Sequence, residues 1–322
     1  MCAMPSVCFA PMHPPTRLLT PAMSGLLDRI ARAGRPPFHA LTPEQARDAY
    51  TAGAQILEPP RAPLRRVEDI ELAGRPARLY APSRERLPAL LYLHGGGFVV
   101  GNLETHDSLC RQLALRSGGA VVALDYRLAP EHRFPAAQDD AWAALQALKG
   151  QGDALGLDSS RLAVGGDSAG GTLAAVTAIR ARDAGLALAL QLLITPGTAA
   201  DDMHASRHLF ANGFLIDAAT IEWFFEHAIE RSQRHDWRFA PLLADDLAGL
   251  APACVVLAEC DPLFDEGIAY ADRLRAAGVA VSLEVGRGLT HDYIKMGRVL
   301  KEAGAAQQFA ADALADAWRQ SR

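Results

Sequence analysis

The sequence predicts an α/β protein, a mostly parallel sheet of eight strands with helices on both faces and a helical cap. Three observations carry this. Short apolar runs alternate with helix-length segments through most of the chain, the pattern of parallel strands joined by crossovers. Ala89–Leu93 is almost wholly apolar, which suits a strand buried on both faces. Arg161–Ala181 runs through an apolar strand, a glycine-rich turn and a small-residue helix without interruption.

Taken in order, residues 1–22 are rich in proline and lack a basic segment followed by an apolar one, so they are expected to form a loose tail, not a secretory leader. From Met23 to Leu57 the pattern is helical. Leu26, Leu27, Ile30 and Ala31 share a face, and Thr42 is placed to cap a second helix with Pro43 at its first position. Pro59, Pro60 and Pro63 break the chain. Val67–Leu72 and Ala77–Tyr80 read as a hairpin joined across Gly74–Pro76.

After Ala89–Leu93 the expected strands are Ala120–Leu124, Arg161–Val164, Leu188–Leu193, Ala253–Ala258 and Val279–Val285. The expected helices are Ser108–Arg116, Ala136–Ala147, Ala174–Ala181, Asp265–Ala277 and Val299–Trp318. One interval, about 197–240, departs from the alternation and carries a helix near Ala218–Ile229. Residues 23–322 are therefore expected to form one domain, with the cap built from about 23–60 and about 197–240. Aromatic residues at helical spacing usually pack a core. Here Trp223 is expected to face a pocket while Phe224 and Phe225 pack.

Composition narrows the class. A net charge of −5 with mixed signs offers no basic footprint for nucleic acid. No apolar run reaches the roughly 18 residues that a membrane-spanning helix needs. The five cysteines show no paired spacing, which points to reduced thiols in a cytoplasm and away from a disulfide framework or a metal site.

The chemistry centres on Gly166-Asp-Ser-Ala-Gly170. A serine on a sharp strand-to-helix turn sits in strained backbone, and glycines two residues before and after relieve the crowding. The turn lifts the Ser168 hydroxyl above the sheet, where the helix N-terminus favours a developing anion. Upstream, His94-Gly-Gly-Gly-Phe98 follows directly on a buried strand. Three consecutive glycines cost folding entropy, but they let backbone N–H groups face a ligand, as an oxyanion hole requires. His94 heads that loop and is expected to orient its backbone. Among ten histidines, His291 is the candidate base because it lies just after the last strand, at the carboxyl end of the sheet. The acid is expected between serine and histidine. Asp261 directly follows an apolar strand, and Glu259 and Asp265 are its rivals. Glu259 lies nearer the strand, Asp265 suits a helix cap, and Asp167 is too close to the serine to reach around to the histidine. The order Ser168, Asp261, His291 is that of α/β-hydrolases.

With these residues assembled, the chain resembles the hormone-sensitive lipase-like branch of the α/β-hydrolases, the bacterial family IV esterases, from about Met23 to its C-terminus. The likeness rests on His94–Phe98, Asp125-Tyr-Arg-Leu-Ala-Pro-Glu131, Gly166–Gly171 and Asp261-Pro-Leu-Phe-Asp-Glu-Gly267. It implies that Gly96, Gly97 and Ala169 donate the oxyanion N–H groups; Phe98 and Trp223 are the candidate substrate contacts. It further implies hydrolysis of short- to medium-chain acyl esters without metal or cofactor, and a possible homodimer along Val279–Val285. Three positions depart from the family pattern. Asp292 and Tyr293 follow the histidine where glycine and phenylalanine are usual, and Thr172 replaces a common asparagine. A carboxylate beside His291 favours the protonated ring. The expected reaction is ester hydrolysis through an acyl-enzyme on Ser168. The alternatives are an amidase, lactonase or acetyl esterase on a specialised substrate, or a non-catalytic small-molecule receptor on the same fold.

Overall fold

The structure, a computed structural model, describes residues 15–201 and 203–321. Eight strands form one sheet: β1 (Arg66–Leu72), β2 (Arg75–Ala81), β3 (Leu87–Leu93), β4 (Ala120–Leu124), β5 (Leu157–Asp167), β6 (Gln191–Ile194), β7 (Ala253–Ala258) and β8 (Val281–Gly286). Their spatial order is β1-β2-β4-β3-β5-β6-β7-β8. The β1–β2 and β2–β4 pairs are antiparallel and the others parallel. The helices are α1 (Pro21–Arg32), α2 (Pro43–Leu57), α3 (Asp107–Ser117), α4 (Ala136–Gln151), α5 (Ala169–Asp183), α6 (Ala205–Leu209), α7 (Ala218–Ala228), α8 (Phe264–Ala276) and α9 (Lys301–Gln320).

The two faces of the sheet follow strand periodicity. Leu91, Leu93, Val122, Leu124, Val164, Leu193, Val255 and Leu257 pack with α4, α5 and α8. Their neighbours Leu90, Tyr92, Val121, Ala123, Ala163, Leu192, Cys254 and Val256 pack with α1, α3 and α9. Successive side chains on a strand point to opposite faces, so a strand covered on both sides must be apolar throughout. That requirement explains the unbroken apolar runs.

Several boundaries differ from expectation. The hairpin turns at Ala73 and Gly74, both at positive φ, with Leu72 opposite Arg75. That is the two-residue geometry whose twist matches the strands, and Pro76 therefore lies inside β2. β5 begins at Leu157, four residues early, where it pairs with Leu87. β6 is only four residues long. Of the expected loose tail, residues 1–14 lie outside the described residues, and the remainder is not loose. Pro15–Leu18 make a 3-10 turn, and α1 starts at Pro21 under a cap in which Thr20 Oγ1 accepts from Met23 N at 3.2 Å. The Thr20 N–H also donates to Gly288 O at 3.0 Å, tying this segment to the loop after β8.

At the centre of the sheet the ends of β3 and β5 approach closely. A Cβ on Gly170 would lie 1.9 Å from Leu93 O, and one on Gly166 would lie 2.2 Å from the same oxygen. Glycine at these positions is a steric requirement of how the turn sits on its neighbour strand. Gly170→Ala is therefore expected to destabilise the fold by about 3 kcal/mol, the upper end of ordinary overpacking costs. Gly53→Ala, on α2 with nothing within 4 Å of the new carbon, is expected to stabilise by about 0.5–1 kcal/mol. Denaturant midpoints of the two variants against the parent check both signs.

Candidate active site

Ser168 stands between the last residue of β5 and the first of α5, at φ 53° and ψ −121°. A non-glycine residue there is strained by roughly 1–3 kcal/mol, held in place by its surroundings. Those surroundings are visible. Ser168 N donates to Ile194 O at 2.8 Å, and Thr172 N returns to Ser168 O at 3.0 Å as the helix begins. β7 ends at Ala258, and the loop after it carries Asp261. β8 ends at Gly286, and the loop after that carries His291. The three side chains form one hydrogen-bonded line. His291 Nε2 is 2.9 Å from Ser168 Oγ, and His291 Nδ1 is 2.7 Å from Asp261 Oδ2. The other Asp261 oxygen accepts from Leu263 N at 2.9 Å, which fixes the carboxylate's orientation. All three residues are buried.

The rivals for the acid have other partners. Glu259 binds Arg287 and Gly288 N. Asp265 does not cap α8, whose cap position is Leu263. It instead exchanges hydrogen bonds with Ser206 at the start of α6. Asp167 turns away from His291, accepting from Tyr92 Oη at 2.6 Å and Gly95 N at 3.1 Å, with His106 Nε2 at 3.0 Å. His94 orders the glycine loop. Its Nδ1 lies 2.8 Å from Gly95 O and its ring stacks on Tyr126 at 4.2 Å. Burial, followed by the nearby His106, pushes the His94 pKa down to about 3, so the ring is neutral and its Nδ1–H donates.

Gly96, Gly97 and Phe98 all have positive φ. Gly96 O accepts from both Val99 N and Val100 N, curling the loop so that the Gly96 and Gly97 amides are left over. Among the described residues, the N–H groups of Gly96, Gly97 and Ala169 donate to no protein acceptor. Asp125–Glu131 props this loop. Tyr126 Oη donates to His94 O at 2.7 Å, and Ala129 N donates to Phe98 O at 2.8 Å. Arg47 of α2 spans Val99 O, Ala129 O and the Glu131 carboxylate.

A small pocket, partly open to solvent, has Ser168 and Ala169 in its lining. Phe98, Ile221, Phe224, Phe225 and Phe239 give it apolar walls. Phe98 therefore lines the pocket. Trp223, expected to face it, does not, because its neighbours Phe224 and Phe225 line the pocket while the indole packs on Phe224 and on His227, one turn along. Successive helical residues are about 100° apart, so the stripe facing the pocket is set by how α7 is rotated, which spacing alone does not give. Phe38 and His39, ahead of α2, meet α7 through Phe224 and Thr220. Among the described residues, no three His, Cys, Asp or Glu side chains are grouped to hold a metal ion, and no helix is long and apolar enough to cross a membrane.

A second charged cluster lies beside this line, joining Asp292 to Lys295 and Tyr50, which the sequence had not singled out. Asp292, in left-handed backbone at φ 60°, puts Oδ1 3.8 Å from His291 Nε2. Its Oδ2 is 3.2 Å from Lys295 Nζ and accepts from Tyr50 Oη at 3.4 Å. A lysine between Ile294 and Met296 was the available signal.

Residues 90–295 match the family described as α/β hydrolase fold. The chain is 41% identical over 313 residues to the ethyl acetate hydrolase of Pseudomonas putida, covering 92% of this chain and 98% of that one. Among solved structures it is similar to the ester hydrolase EH1AB1 from the metagenome of Lake Arreo (TM-score 0.88, 41% identity, 92% and 98% coverage). The hyperthermophilic esterase of Pyrobaculum calidifontis is also similar (TM-score 0.86, 38% identity, 92% and 98% coverage).

Burial disfavours a charged His291 ring, but the Asp261 and Asp292 carboxylates outweigh it and hold its pKa up to about 9. Removing a facing anion must lower that value. Asp292→Asn is expected to move the His291 titration, followed by the ring-proton NMR signals, downward by about one unit.

Proposed function

The chain belongs to the α/β-hydrolase fold family, and from that premise we propose that it is a serine carboxylesterase of the hormone-sensitive lipase-like branch, acting on short- to medium-chain acyl esters. The observation that carries this reading is the unbroken line from Asp261 through His291 to Ser168, ending in the lining of an apolar pocket. In this reading His291 Nε2 removes the Ser168 proton as Oγ attacks the ester carbonyl, and Asp261 holds the ring and the charge it acquires. The oxyanion forms against the uncommitted N–H groups of Gly96, Gly97 and Ala169, each worth about 3 kcal/mol in comparable sites. The imidazolium then protonates the departing alcohol. Water, activated by the same nitrogen, releases the acid from the acyl-enzyme.

The helices of residues 23–60 and the segment 197–240 serve as the cap in this proposal. What supports it is that Phe224 and Phe225 on α7, together with Phe239, wall the pocket above Ser168. Glu266 anchors the base of that segment, accepting from Thr198 N at 2.7 Å, Ala199 N at 3.1 Å and Arg207 Nη2 at 2.8 Å. In this reading the rings leave room for a short acyl chain and obstruct a long one. Each methylene that fits gains only about 1 kcal/mol, so preference should be graded, not absolute.

Initial rates on p-nitrophenyl esters from acetate to palmitate test the proposal. Activity is expected to peak at short chains and to fall by roughly 10⁶ in kcat in Ser168→Ala. Turnover surviving that substitution would remove Ser168 as nucleophile, and an inactive parent protein that still binds esters calorimetrically would favour a receptor. Phe239→Ala, which opens the wall, is expected to move the chain-length optimum to longer acyl groups by lowering their KM.

A further inference from the structure

We propose that Lys295 is a positioning residue of the active site, one that draws Asp292 away from His291 Nε2 and balances the two carboxylates flanking the triad. The inference rests on the esterase reading above and deepens it.

The placement is specific. Asp167 immediately precedes Ser168, and Asp292 immediately follows His291. Two buried carboxylates therefore adjoin the proposed nucleophile and base, in addition to Asp261. Lys295 Nζ lies between them, 3.2 Å from Asp292 Oδ2 and 3.9 Å from Asp167 Oδ2. It also donates to Tyr50 Oη at 2.5 Å and lies 3.2 Å from His106 Nε2. These partners arrive from separate parts of the fold: Tyr50 from α2, His106 from the cap of α3, Asp167 from the end of β5, and Asp292 from the loop after β8. Glu58, just past α2, also faces the ammonium. Its carboxyl is pushed up to about 8 by burial, so it adds little negative charge near neutrality. Lys295 is itself buried, and a buried ammonium persists only where anions and hydrogen bonds replace its water.

The two oxygens of Asp292 have different circumstances. Oδ2 is held by Lys295 and Tyr50. Oδ1 is buried with no hydrogen-bond partner and lies 3.8 Å from His291 Nε2, beyond hydrogen-bonding distance. The carboxylate is thus restrained short of the imidazole. Released, it would pair with the imidazolium and compete with Ser168 Oγ for Nε2. A base already carrying a proton cannot take one from serine. The lysine acts in two ways: it anchors Asp292 through Oδ2, and its positive charge offsets the field of Asp292 and Asp167 at the ring. Asp261, on the opposite nitrogen, is left as the direct partner of His291.

The test is the pH dependence of kcat/KM on p-nitrophenyl acetate for the parent, Lys295→Met, Asp292→Asn and the double variant. The acid limb reports the protonation of the free enzyme's base. In Lys295→Met the limb is expected to move up by about one pH unit, with a roughly tenfold loss of rate on its acid side. In Asp292→Asn it moves down. The double variant removes one charge of each sign, and its limb returns close to the parent's. A lysine that only supported the fold would lower the rate without moving the limb. An unmoved or lowered limb in Lys295→Met overturns the proposal, as does a double variant whose limb coincides with that of Asp292→Asn. If Lys295→Met does not fold, the comparison of the double variant with Asp292→Asn decides alone. Ser168→Ala run in parallel separates the two levels: turnover persisting there sinks the esterase reading, whereas a dead Ser168→Ala with a limb indifferent to Lys295 sinks only the lysine's role.

Discussion

The carbonyl of Leu93 reaches the turn around Ser168 so closely that no side chain can stand between them. It lies 1.9 Å from where a Cβ on Gly170 would be and 2.2 Å from one on Gly166. This contact joins the ends of the two central strands, and much of the rest depends on it. It forces the serine into a backbone conformation that side chains avoid, lifts its hydroxyl over the sheet edge and starts α5 directly beneath it. The same closeness brings Gly95 within hydrogen-bonding distance of Asp167. The glycine loop and the serine turn are thereby assembled as one unit.

A polar framework holds that unit from outside. Tyr92 and His106 fasten Asp167, Tyr126 fastens the carbonyl of His94, and Arg47 bridges α2 to both the glycine loop and Glu131. Such bonds contribute about 1 kcal/mol each in net stability. Their larger effect is positional, because buried donors and acceptors are costly to leave unmatched. The Asp125–Glu131 segment gains its physical meaning here: it props the glycine loop, in which the Gly96 and Gly97 amides have no protein acceptor among the described residues.

Electrostatically the site is crowded with anions, whereas the proposed reaction would build more negative charge. Asp167, Asp261 and Asp292 are all buried near one histidine. The arrangement is tolerable because each carboxylate is assigned: Asp261 to the imidazole and a backbone amide, Asp167 to a tyrosine, a histidine and a backbone amide, Asp292 to Lys295 and Tyr50. All three carboxylates are buried, so water screens their charges little and their disposition matters more.

From sequence alone, the alternation of apolar runs determined the sheet, since a strand buried on both faces has no polar positions to spare. Local rules also singled out Ser168, His94–Phe98, Asp261 and His291 as candidates, because strained turns, glycine loops and strand ends leave marks in adjacent residues. The choice of Asp261 over Glu259 and Asp265 was legible from its place after β7. Its geometry, one oxygen fixed by the Leu263 amide and the other aimed at His291, became visible only in three dimensions. The face of α7 was not legible: Trp223 and Phe224 are neighbours in sequence, and the helix's rotation against the glycine loop put Phe224 and Phe225 at the pocket instead. Nor was the link between Tyr50 and Lys295, which are 245 positions apart. A charge buried among a tyrosine from α2 and carboxylates from β5 and the loop after β8 has no local signature, because the groups that make it tolerable belong to distant parts of the chain.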